Sequence, residues 1–167
     1  VFRNTKLKLK TYLTEVDEEL NPVAIEFLGK EISYSINFNS ELLYTQNVVG
    51  FIEGTDPELK NEFVVLGAHY DHVGFGYYGS MDKKNIGQIH NGADDNASGT
   101  TAIIELAEAF SKSPPKRSII IIAFSGEENG LLGSKYYVHQ QPLKPLDKTI
   151  AMLNLDMISR NESDLLW

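Results

Sequence analysis

The stretch that most constrains the fold is Ser118-Ile-Ile-Ile-Ile-Ala-Phe-Ser-Gly-Glu-Glu128. A continuous apolar, β-branched run without alternation predicts a strand buried on both faces, because each face of the sheet receives an apolar residue. Gly126 allows a sharp turn after it. Glu127 and Glu128 then stand where the strand ends, and in open α/β sheets ligand and catalytic groups gather at the carboxyl ends of strands. Two acids after one strand are as readily a solvated turn, or the start of a helix whose dipole they suit. The functional reading gains weight because two further apolar runs end the same way. Asn61-Glu-Phe-Val-Val-Leu-Gly-Ala68 delivers His69-Tyr-Asp-His72, and Thr149-Ile-Ala-Met-Leu-Asn-Leu155 delivers Asp156.

Around these runs the chain reads as one α/β arrangement. Asn47–Glu53 predicts a strand, Gly54-Thr-Asp-Pro57 a turn, and the pair Asn47–Glu53 and Asn61–Ala68 a hairpin. Thr100–Phe110 carries a helical apolar stripe at Ile103, Ile104, Leu106, Ala107 and Phe110, with Ser98 or Asn96 as cap and Ser113-Pro-Pro as stop. Strand, helix and strand in that order predict a right-handed crossover, with the strands beginning near Phe63 and Ser118 parallel in one sheet. Residues 129–140 predict a second helix with Leu131, Leu132 and Tyr136 on one face. Residues 73–91 form a long loop without apolar period, of the kind that is functional or mobile. Residues 1–46 carry no legible chemistry and read as a scaffold segment. Within them Lys6–Lys10 and Ile32–Phe38 alternate as strands do, and Thr14–Leu20 reads as a short helix capped by Thr14.

Composition narrows the partners. The chain has 167 residues and a formal charge of −8, which disfavours nucleic acid, and no cysteine, so a metal would be held by His, Asp and Glu. No apolar run is long enough to span a membrane.

If the three strands are parallel, His69, Asp71, Glu127, Glu128 and Asp156 meet at one rim of the sheet, with Asp94 and Asp95 on the loop between the first two strands. Six carboxylates and one imidazole in one place repel one another and oppose ionisation. Divalent cations would neutralise them. An imidazole among carboxylates favours zinc or a similar transition ion over calcium or magnesium. One acid would stay unligated to take a proton, and Glu127 and Glu128 can divide these roles, though spacing alone does not say which is which.

Gly67-Ala-His-Tyr-Asp-His-Val-Gly74, Asn91-Gly-Ala-Asp-Asp-Asn-Ala-Ser-Gly99, Ala123-Phe-Ser-Gly-Glu-Glu128 and Leu153-Asn-Leu-Asp-Met157 together resemble the M28 zinc metallopeptidases, over residues 47–160 and in register. The resemblance implies a three-layer α/β/α sandwich with a mixed, largely parallel sheet, and an exopeptidase, aminopeptidase rather than carboxypeptidase, acting on peptides with two zinc ions. It implies His69 and Asp156 on one zinc, Asp94 bridging both, and Glu128 on the second. Glu127 would be the general base, Asp71 would accept a hydrogen bond from His69, and Asp95 would stand behind the ligands. It also implies a cis peptide bond at Asp94–Asp95 and an extracytoplasmic location. The family's fifth ligand is a histidine downstream of the Leu-Asp-Met block, and none follows Asp156 here. The implication is that residues 47–167 form the N-terminal part of a longer catalytic domain, with an exposed sheet edge. His72, His90 and His139 are read as non-ligands, Tyr77 and Tyr78 equally as residues of a substrate mouth or as exposed aromatics of a mobile loop, and Arg160 as half of a surface ion pair. A non-catalytic relative of the same scaffold, or a single-zinc acyl transferase resembling glutaminyl cyclase, are the competing functions.

Overall fold

The computed structural model describes residues 10, 13, 14, 33–40 and 42–160. The chain divides into two compact units, Val1–Glu41 and Leu42–Trp167. In the first, residues 33–40 have no regular structure, and Tyr34, Ile36 and Phe38 are exposed, so the alternation there does not produce a strand. Lys10 is helical, as is Thr14, whose hydroxyl donates to the Lys10 carbonyl at 3.0 Å rather than capping a helix. The rest of the predicted Lys6–Lys10 strand and Thr14–Leu20 helix lies outside the described residues.

The second unit is built on a four-stranded sheet. In chain order its elements are β1 (Val48–Ile52), β2 (Phe63–His69), α1 (Gly99–Lys112), β3 (Ser118–Phe124), α2 (Leu132–His139) and β4 (Thr149–Asn154). The spatial order is β1-β3-β2-β4. β2 runs parallel to both β3 and β4, and β1 runs antiparallel to β3. β2 and β3 are central, which is why both read as unbroken apolar runs.

The register divides those runs between two cores. Phe63, Val65, Ile120, Ile122 and Phe124 face one side, where Tyr137 of α2 covers them. Leu66, Ala68, Ile119 and Ile121 face the other, where Ile103 of α1 is buried, with Leu106, Ala107 and Phe110 packed around it. One helix on each face gives the α/β/α layering, and burying aliphatic side chains of this size is worth about 1.5–3 kcal/mol each.

Three local expectations are corrected. The hairpin does not form: β3 lies between β1 and β2. After β1 the chain turns across the start of β3, where Gly54 N–H donates to Ser118 Oγ at 2.9 Å and Thr55 N–H to the Pro115 carbonyl at 2.9 Å. β2 therefore enters the sheet on the far side of β3. The second helix begins at Leu132, and Gly133 and Tyr137 face inward, while Leu131, Leu132 and Tyr136 are exposed. β4 is an edge strand with most of its residues exposed rather than a buried one, since β2 is its only strand partner among the described residues.

Candidate metal centre

β2, β3 and β4 end at the same rim, and the turns that follow them carry the ionisable groups. His69 is the last residue of β2 and only 3 % exposed. Its Nδ1 lies 3.0 Å from the backbone carbonyl of Asp71. A proton on Nδ1 satisfies that carbonyl and leaves the Nε2 lone pair free. Nε2 faces Asp95 Oδ1 at 3.2 Å, Asp156 Oδ2 at 3.6 Å and Glu127 Oε2 at 3.9 Å. Beside this group His72 Nδ1 lies 2.6 Å from Glu128 Oε1 and 3.9 Å from Asp95 Oδ1. Two overlapping sets of ligand atoms result, His69 with Asp95 and Asp156, and His72 with Asp95 and Glu128. Asp95 is common to both.

The turn Ala93–Ser98 explains which of the paired aspartates faces the rim. Gly92 is left-handed at φ 64°, and Asp95 and Asn96 leave helical geometry inside the turn. The resulting reversal sends the Asp95 side chain toward His69 and the Asp94 side chain away from it. Asp94 accepts from Ser159 N–H at 3.1 Å, from Ser159 Oγ at 2.6 Å and from Arg160 Nε at 2.7 Å. These bonds, Ser159 foremost, hold the Asp94 carboxyl at about 2, against the opposing effect of its desolvation. Asp95, not the Asp94 expected to bridge, is thus the aspartate common to both ligand sets, and the cis peptide bond stands one residue later than expected, at Asp95–Asn96. Arg160 has its ion-pair partner in Asp94, a buried acid rather than a surface one.

Asn96 fastens the same turn to the end of β4. It is 1 % exposed; its Nδ2 donates to the Leu155 carbonyl at 2.9 Å, and its Oδ1 accepts from Met157 N–H at 3.2 Å and Gly99 N–H at 3.1 Å. The carboxamide therefore grips the backbone on both sides of Asp156 and caps α1 as well.

Gly126, left-handed at φ 67°, turns the chain out of β3 as its sequence position implied. Glu127 and Glu128 follow, and the Asp71 carboxylate accepts both of their backbone N–H groups, at 3.1 and 3.3 Å. Asp71 was expected to receive His69. Its carboxylate is 3.7 Å from Nδ1, and the ring takes the Asp71 carbonyl instead. Burial pushes the Glu127 carboxyl above its ordinary value; the His69 ring opposes this, and the charges of Glu128, Asp156 and Asp71 add to it. Such a shift brings a carboxylate nearer the range in which it can take up and release a proton near neutrality.

A residue three beyond His69 on an extended chain need not face the same way, so the sequence alone does not group His72 with His69. The strand ends at His69, and Tyr70 N–H makes the last sheet-like bond, to the Phe124 carbonyl at 2.9 Å, so strand alternation does not extend to His72. The signal available in the sequence was the shortage of ligands for a second ion. His90 lies in the loop, its ring centroid 6.5 Å from that of His72, and is in neither ligand set.

Two clefts flank the group. One of about 230 Å³ runs between Glu127, Leu131, Met152 and Asp156, and another of about 580 Å³ is bounded by His72, Asp95, Met157 and Arg160. A further groove of about 660 Å³ lies between residues 43–49 and α2 and is lined by no carboxylate or imidazole, so it is not where the ionisable groups act.

The model of peptidase family M28 matches residues 47–167, the part of the chain that holds every group just described. The chain belongs to that family. Aminopeptidase YwaD of Bacillus subtilis is 35 % identical over 115 residues, which is 68 % of this chain and 22 % of that protein. A probable leucine aminopeptidase 2 of Aspergillus oryzae is 34 % identical over 69 % of this chain and 20 % of its own length. Among solved structures, BSAP, a zinc aminopeptidase from B. subtilis, aligns at a TM-score of 0.53 with 34 % identity, over 67 % of this chain and 24 % of that one. A Bacteroides thetaiotaomicron glutaminyl cyclase bound to N-acetylhistamine aligns at 0.54 with 26 % identity, over 67 % and 41 %. The chain spans about a fifth of the length of these two curated relatives. The α/β architecture with a mixed sheet is the M28 aminopeptidase fold, seen here in part.

Proposed function

We propose that this chain carries the larger share of the metal centre of a zinc exopeptidase, an aminopeptidase in preference to a carboxypeptidase, that hydrolyses peptides. The observation that carries the reading is the spacing around His69. Tetrahedral zinc ligands at 2.0–2.1 Å from the ion stand roughly 3.4 Å from one another. Asp95 and Asp156 present oxygens at 3.2 and 3.6 Å from His69 Nε2, whose lone pair is free when Nδ1 carries the proton. The donor set of one imidazole and several carboxylates, without cysteine, suits zinc.

His69, Asp95 and Asp156 would hold one ion. Asp95 and Glu128 would hold a second, with His72 in reach. His72 and Glu128 are at hydrogen-bond distance, 2.6 Å, so that pair must part before both can ligate. When bound, zinc supplies an acidified water and polarises a carbonyl. Glu127 would take the proton from the attacking water and return it to the leaving amine. Asp71 would keep Glu127 and Glu128 in place through their N–H groups. The cleft beside Glu127 and Met152 would receive the substrate residue. Residues 1–46 would be scaffold outside this chemistry, and an extracytoplasmic location belongs to the same reading.

The test is zinc per chain, with hydrolysis of aminoacyl p-nitroanilides, in the wild type, Asp95→Ala and Glu127→Gln. Loss of zinc in Asp95→Ala is expected, as is a drop of about 10²–10⁴-fold in turnover with zinc retained in Glu127→Gln. Full activity in Glu127→Gln would sink the reading. One observation favours a second function: only the His69 set has zinc spacing as it stands, which suits a single-zinc acyl transferase, and the likeness to glutaminyl cyclase points the same way. Pyroglutamate formation from an N-terminal glutamine peptide, without amino-acid release, would select it.

A further inference from the structure

Asp94 has no part in either ligand set, yet it is 7 % exposed and fully engaged. Both of its oxygens accept from the segment after β4, Oδ1 from Ser159 N–H and Oγ–H and Oδ2 from Arg160 Nε. Its backbone carbonyl accepts from Ser98 Oγ at 2.6 Å, and Ser98 Oγ in turn accepts from Ile158 N–H at 3.2 Å. The segments joined in this way are those that carry Asp95, the next residue, and Asp156, three residues before Ser159.

We propose that Asp94 is a positioning residue of the metal centre, which by holding Ser159 and Arg160 sets the separation of Asp95 from Asp156 and so the affinity for zinc. The inference rests on the zinc-site reading above. Asn96 already ties Leu155 and Met157, on either side of Asp156, to the turn, so without Asp94 the segment beyond Met157 would be hydrogen-bonded to the turn, among the described residues, through Ser98 alone and could swing. An aspartate is required because both oxygens must accept. Asparagine offers one oxygen and turns an NH₂ toward either Ser159 or the Arg160 guanidinium. Outer residues that orient metal ligands commonly cost about 10–100-fold in affinity when changed.

The experiment is competition for zinc with a chromophoric chelator, well below the melting temperature, on the wild type, Asp94→Asn and Arg160→Met, with metal-free melting curves alongside. Arg160 is 74 % exposed in its side chain, so Arg160→Met should fold even if Asp94→Asn does not. The expected result is zinc binding weakened about 10–100-fold in Asp94→Asn and at least about threefold in Arg160→Met. A purely structural role would lower the metal-free melting temperature and leave the affinity of the folded protein within twofold, and that would overturn the proposal. Loss of an ion in Asp94→Asn while Asp95→Asn keeps its full zinc would overturn it too, by making Asp94 a ligand. Failure of the wild type to bind zinc would instead bring down the zinc reading itself.

Discussion

Asp71 is the residue through which the organisation of the two glutamates can be tested most directly. Asp71→Ala removes the carboxylate that accepts the Glu127 and Glu128 N–H groups, at 3.1 and 3.3 Å. Hydrogen bonds to a charged acceptor are worth about 1.5–3 kcal/mol each. These are long, and the Asp71 side chain is partly open to solvent, so the low end applies and the gross loss is about 3 kcal/mol. Removing the charge also relieves its repulsion of Glu127, so the net loss near pH 7 should be about 2–3 kcal/mol. Asp71→Asn keeps one acceptor and should lose about half as much. Urea unfolding of the zinc-free protein reads this as a lower midpoint at unchanged slope. The pH profile gives a second readout with a definite sign. Asp71 is one of the charges that raise the Glu127 pKa, after burial. Without it that pKa falls, Glu127 stays deprotonated to lower pH, and the acidic limb of turnover moves to lower pH in the variant. A loss under about 0.5 kcal/mol, together with an unmoved acidic limb, would refute the claim that this carboxylate holds the acids.

Two further substitutions bear on the site and its support. His72→Ala should weaken the second zinc at least about tenfold and leave the first unchanged, as seen in stepwise zinc titration; equal loss at both would mean that His72 supports the whole rim. Gly133→Ala places a Cβ in collision with Asn47 Oδ1 and the Ser125 carbonyl oxygen, where the backbone after β3 cannot easily yield. A melting curve should show a loss of about 3 kcal/mol, and a neutral result would mean that α2 can shift without disturbing β3.

What could be read from the sequence follows the range of the interactions involved. β2, β3 and α1 were legible because their apolar patterns are local and both faces of the two central strands are covered. The partner of β1 was not, because it is decided by a contact between Gly54 and Ser118, 64 residues apart. The site residues were legible as a set of types at strand ends, but not always as individuals. Asp94 and Asp95 are chemically identical, and their directions are settled by the left-handed Gly92 and the irregular backbone at Asp95 and Asn96. His72 is a related case: alternation along a strand would point it away from His69, but the strand ends at His69 and His72 lies against Glu128.

These failures share a cause that bears on how the rim works. Consecutive residues on an irregular turn diverge, so each pair of neighbouring acids becomes two separate devices. Glu127 approaches His69 at 3.9 Å while Glu128 pairs with His72 at 2.6 Å. Asp95 approaches His69 while Asp94 binds Ser159 and Arg160. The divergence also limits the electrostatic cost of the cluster. Of its six carboxylates, Asp94 is neutralised by Arg160 and Asp71 is bound by two backbone N–H groups, leaving Asp95, Asp156, Glu127 and Glu128 around the two imidazoles. In the proposed centre two divalent ions would balance the charge of those four. On the proposed reading an acid count taken from sequence overstates the ligands, since Asp71 and Asp94 would hold their neighbours in place rather than bind an ion.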